Sequence, residues 1–155
     1  MNESIEHPKS GREVLLNLES ENKYVFHGSE NPHLEMLEPW QAHTVVEGEK
    51  QDDDQPGVHA SQFADIAILM ALVNTQNCKE GFESGFRYEG KVILSVNQKA
   101  LDQLDEASVG YVYVFAKEDF VPRGMSQSIS YVPVKPLKII EVKKEDLSID
   151  LELTD

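Results

Sequence analysis

The sequence predicts an α+β fold, on three observations. β-prone runs crowd the second half of the chain, at residues 91–96, 110–116, 129–134 and 137–142, with one short helical pattern among them. A single long apolar stretch, residues 63–73, repeats at helical spacing. Strands therefore cluster instead of alternating with helices, which argues against a doubly wound parallel sheet.

Taken in order, residues 1–11 are polar, include Pro8 and Gly11, and read as a loose N-terminal arm. Val14, Leu15, Leu16 and Leu18 suit a helical turn or an edge strand equally. Residues 23–27 (KYVFH) are β-prone; Gly28 and Ser29 end that run, and Asn31-Pro32 keeps a helix from starting directly. Residues 47–56 (EGEKQDDDQP) read as a solvated acidic loop. The three adjacent Asp lack the alternating ligands, central Gly and closing Glu of a calcium loop.

Val58-His59-Ala60 is a short buried strand candidate, and the Ser61 hydroxyl is placed to cap the helix that follows. In that helix Phe63, Ile66, Ala67, Met70 and Val73 form a stripe that Leu69 and Leu72 widen, so it should be buried on most sides. Residues 79–90 hold three Gly and two Phe in a polar setting and read as a loop or turn. Residues 91–96 form a strand, and Asn97 caps a short helix carrying Leu101 and Leu104. Residues 110–116 (GYVYVFA) are apolar or aromatic on both faces, so that strand should be central. Residues 129–134 and 137–142 complete the strands, with Pro133 and Pro136 pointing to an edge or bulge. The acidic tail, residues 144–155, is expected to fray.

The 155 residues suit one domain, and the 40% hydrophobic content is enough for a core. Fourteen basic against 28 acidic residues give a net charge of −14, which repels phosphate backbones and anionic membranes. The longest apolar run, residues 66–73, is far below the ~20 residues a membrane span needs. One cysteine, Cys78, excludes an intrachain disulfide and suits a reducing, cytoplasmic setting. It lies in a polar stretch without a neighbouring His and reads as a small hydrophobe.

No phosphate loop, dinucleotide fingerprint, zinc motif or nucleophile elbow is present. Two places are unusual. His27-Gly28-Ser29 sits at a strand end, where side chains reach the rim of a sheet and a glycine allows close approach. Gly57-Val58-His59-Ala60-Ser61 runs from strand to helix, where free amides can hold an anion or a carbonyl. Taken singly, each reads better as an ordinary turn or cap.

Together, in this order and about thirty residues apart, the HGS and GVHAS segments resemble the ADP-ribosyltransferase superfamily. Its members carry a His-Gly-[Ser/Thr] tripeptide on an early strand and a Gly-[Val/Ile]-Tyr-Phe-Ala-like strand that runs into a helix. The resemblance covers roughly residues 23–142 and implies a split antiparallel β-sheet core with few helices. It further implies NAD as substrate. His27 would hydrogen-bond the adenosine ribose, Gly28 would hold the nicotinamide amide through its backbone, and Ser29 would line the same pocket. The strand through His59 to Ser61 would wall the nicotinamide ribose. Two positions depart from the family pattern: His59 stands where relatives stack a Tyr, and Gln127 falls where they carry the catalytic Glu. A neutral amide stabilises positive charge on the ribose less well than a carboxylate does. Glu118 and Asp119 are candidate substitutes.

Three readings follow. The chain is an enzyme that transfers ADP-ribose from NAD to a protein or small-molecule acceptor, a module that holds a nucleotide without turnover, or an acidic protein-interaction domain.

Overall fold

The computed structural model describes residues 10–39, 43–46, 49–52, 57–147 and 150–154, and the side chains of 43–46 and 49–52 are not part of that description. Its class is α+β, with strands outnumbering helices. A first helix, α1 (Gly11–Ser20), opens on Ser10, whose Oγ accepts from the Glu13 amide while the Glu13 carboxylate accepts from the Ser10 amide. The ambiguous run 14–18 is thus helical, and residues 10 and 11 belong to this helix start and not to a loose arm. The rest of that arm lies outside the described residues.

A three-stranded sheet is built around β7 (Val109–Ala116), flanked antiparallel by β1 (Tyr24–Ser29) and β10 (Lys138–Lys143). Residues 110–116 are central, as their two-faced apolar pattern required. On one face Phe26, Val112, Val114 and Val142 pack against α2 (Ala64–Leu72). On the other, Val25, Tyr113 and Phe115 pack against Val58, Ala60, Leu37, Phe120 and Val134. Val58 and Ala60 come from β4 (Val58–Ala60), which joins β9 (Gln127–Ser130) and β8 (Val121–Arg123) in a second antiparallel sheet.

The far side of α2 contributes Ile66 and Leu69, and its C-cap Val73, to a third cluster with Leu94 and Val96. Those two lie on β6 (Val92–Val96), which pairs antiparallel with β5 (Ser84–Tyr88) and parallel with β11 (Leu151–Leu153). A sheet on each side explains why α2 is apolar around nearly its whole circumference. Cys78, Ala100 and Leu104 complete the buried set of this cluster; Ala100 belongs to α3 (Gln98–Gln103), which Asn97 caps by accepting from the Ala100 amide.

Four expectations are corrected. Part of the acidic loop 47–56 is a strand, β3 (Glu49–Asp52), paired with β2 (His43–Val46); its remainder lies outside the described residues. Residues 84–88, read as loop, form β5, because pairing with β6 supplies backbone bonds that its glycine-rich composition does not advertise. The acidic tail does not simply fray: Asp146 is buried, and residues 151–153 add β11 to the third sheet. Ser61 is not the helix cap. The N-cap position belongs to Phe63, whose amide bonds Ser61 Oγ at 3.0 Å, and the first free helical amide, Ala64, donates to the Glu19 carboxylate at 2.7 Å. A bidentate Arg12–Asp65 pair at 2.8 and 3.0 Å ties the same two helices together.

Candidate functional site

The β1–β7–β10 and β4–β9–β8 sheets meet at one point. Phe26 and Ser61 exchange backbone bonds of 2.7 and 2.8 Å, and among the described residues β1 and β4 pair nowhere else. A continued antiparallel ladder would next pair Gly28 with His59. Instead the His59 carbonyl bonds the ring of His27, with Nδ1 at 2.6 Å. The His27 ring thus engages the carbonyl that a continued ladder would offer to the Gly28 amide.

The split has a backbone consequence. Alternate residues of a strand direct their N–H and C=O to the same side. Gly28 therefore points its donor and acceptor the way Phe26 does, away from β7 and toward β4. Among the described residues no backbone bond to a neighbouring strand replaces the missing His59 pair. A cavity of about 720 Å³ opens there.

The cavity is lined by Phe26, His27 and Gly28 from β1 and by β4 with Ser61. Ile66, Ala67 and Met70 of α2 and Phe86 of β5 form one wall. The loop carrying Leu34, Met36, Leu37 and Glu38 also lines the cavity. Gln127 also reaches it, one residue beyond the Ala60–Ser128 pair and so opposite Ser61 in register.

Five of the six residues singled out from the sequence thus meet in one place: His27, Gly28, His59, Ser61 and Gln127. Ser29 does not line the cavity; its Oγ accepts from the Asn31 amide at 3.0 Å and shapes the next turn. Ser61 is buried and faces inward structurally, its hydroxyl donating to the Ser126 carbonyl at 2.7 Å. The amides at the start of α2 are no anion site, since the Glu19 carboxylate already occupies the first of them. Glu118 and Asp119, offered as substitute carboxylates, are exposed in a 3-10 turn after β7 and do not line the cavity. Glu38 does. It went unnoticed in the sequence because Leu34, Met36 and Leu37 carry no period that would fix which way their neighbours point.

His27 is defined chemically by its surroundings. Because Nδ1 faces a carbonyl oxygen, it must carry the proton and donate, which leaves Nε2 with a lone pair in the neutral ring. Burial lowers the His27 pKa from its ordinary value, an effect the His59 carbonyl partly opposes. The ring is therefore neutral at pH 7 and can accept a hydroxyl proton. A depressed folded-state pKa means the unfolded chain takes up the proton first. The His27 contribution to stability should be fully present above about pH 6.5 and fall as pH drops below it. Melting curves between pH 8 and 5.5 should show a steeper acid-side loss in the wild type than in His27→Gln; equal slopes would remove His27 as the cause.

The loop wall is fixed from below. Tyr113, fully buried on β7, donates its hydroxyl proton to the Asn31 carbonyl and accepts from the Leu34 amide at 3.0 Å. Leu37 and Val134 exchange backbone bonds of 2.9 Å. Tyr113→Phe should cost about 1–3 kcal/mol, since it leaves polar partners unsatisfied, and should speed amide exchange across residues 31–38. Unchanged exchange there would mean that the Leu37–Val134 bridge alone holds the loop.

Against known protein families, curated proteins and solved structures, the chain gives no match. Among the described residues, no helix is long and apolar enough to cross a membrane.

Proposed function

We propose that the cleft between β1 and β4 binds the nicotinamide end of NAD and that the chain is an NAD-binding, ADP-ribosyltransferase-like protein. One observation carries this reading: the split strand pair turns the N–H and C=O of Gly28 into the cavity beside a neutral histidine. A primary carboxamide such as that of nicotinamide presents a complementary donor and acceptor. It can complete the interrupted ladder as a strand would. The free lone pair of His27 Nε2 is suited to accept from a ribose hydroxyl. The mostly apolar lining suits a flat ring, and the volume lies within the ordinary range for small-molecule sites.

Gln127 favours holding the nucleotide over turning it over. Breaking the nicotinamide–ribose bond leaves positive charge on the sugar, and an amide at that rim stabilises it less than a carboxylate would.

The test is thermal. A ligand at about 100 times its Kd adds ~2.7 kcal/mol, which for a chain of this size raises Tm by roughly 5–10 °C. NAD should produce such a shift, and His27→Ala should abolish it while the protein remains folded. No shift at millimolar NAD would leave the acidic interaction domain as the better reading.

A further inference from the structure

We infer that Glu38 makes this site selective for the oxidised form of the nicotinamide ring. The inference rests on the proposed reading and adds to it a specificity-determining residue that the resemblance does not supply.

Most of the cavity wall is apolar, and Met36, Met70 and Phe86 offer polarisable or aromatic surface to a flat ring. Glu38 is the one acidic residue among the described lining residues, and no Lys or Arg stands with it there. His27 adds no positive charge, being neutral at pH 7 for the reasons given above. The net charge of −14 adds a negative background to that local arrangement.

Oxidised nicotinamide, once bonded to ribose through its ring nitrogen, is a pyridinium cation. The reduced ring is neutral. The two forms share the carboxamide that Gly28 would hold, both riboses, the phosphates and the adenine. The electrostatic field of Glu38 therefore acts on their difference, and an aromatic face such as that of Phe86 adds to the preference for a cation. Glu38 is exposed, so its effect is that of a solvent-screened ion pair, about two- to fivefold in affinity.

The experiment is isothermal titration of the full chain with oxidised and reduced NAD, for the wild type and Glu38→Gln. The wild type should bind the oxidised form about two- to fivefold more tightly, and Glu38→Gln should close that gap by weakening the oxidised form alone. Raising the salt concentration should narrow the gap in the wild type only. Equal binding of the two forms by the wild type overturns the inference. So does a gap that survives Glu38→Gln, because ring shape and not charge would then be the discriminator. In both of those cases NAD still binds and the proposed function stands. If neither form binds, the proposed function falls and takes this inference with it.

Discussion

Gly28→Ala is expected to destabilise the protein by about 3 kcal/mol or more, lowering Tm by roughly 6–12 °C. A Cβ at position 28 would lie 2.1 Å from the Ala67 carbonyl oxygen and 2.6 Å from the Ala71 amide nitrogen. Both obstacles are helix backbone, which cannot move aside as a side-chain tip can. Gly110 on β7 has the same relation to the helix, with its Cβ position 2.1 Å from the Ala71 carbonyl oxygen. Two glycines on neighbouring strands and two alanines on α2 thus set how closely helix and sheet approach. Gly85→Ala is the control, because its nearest neighbour is the Ser95 hydroxyl at 3.3 Å. Denaturant unfolding of the three variants is the check; equal, small losses would refute the close approach. The glycine of the HGS tripeptide is therefore explained by packing, quite apart from any ligand. Its backbone groups, and not its missing side chain, are what the cleft can use.

Gln127→Glu is expected to raise the release of nicotinamide from bound NAD by about 10²–10³-fold. In that reaction the bond between the ribose and the nicotinamide nitrogen breaks, the electron pair leaves with nicotinamide, and water attacks the cationic sugar carbon. A carboxylate at position 127 supplies the charge that this step lacks, at a half-buried cavity rim where the substitution changes no volume to speak of. Nicotinamide would be measured by chromatography at saturating NAD. An unchanged rate in a variant that still binds NAD would mean that the ribose is not held next to residue 127.

The fold was legible where one sequence pattern had one physical cause. α2 is apolar around its circumference because sheets cover two sides of it, and β7 is apolar on both faces because each packs on a different cluster. Asn97 announced its helix because a side-chain cap is a local device. What depended on a distant partner was not legible. Phe86 sits in β5 by virtue of β6, and residues 151–153 become a strand only beside Leu94, Ser95 and Val96. Ser61 looks like the cap in sequence because the carboxylate that serves the first amide of α2 comes from Glu19, on another helix.

The candidate site follows the same division. His27, Gly28, His59, Ser61 and Gln127 were marked by resemblance, and all five line the cavity. Ser29 was marked and instead serves a turn. Glu38 and Phe86 were missed, since a loop without period and a strand without apolar alternation leave side-chain direction undetermined. The contact between the His27 ring and the His59 carbonyl is likewise invisible in sequence: the two residues lie 32 apart, and only the folded chain joins them.

The most direct test is the amide NMR spectrum of the isotopically labelled chain titrated with NAD. If the interrupted β1–β4 ladder receives the carboxamide, the largest shifts should fall on Gly28, His59 and Ala60, with smaller ones along residues 34–38. Shifts confined to another surface, or none at a concentration that saturates the thermal response, would contradict binding in the cleft.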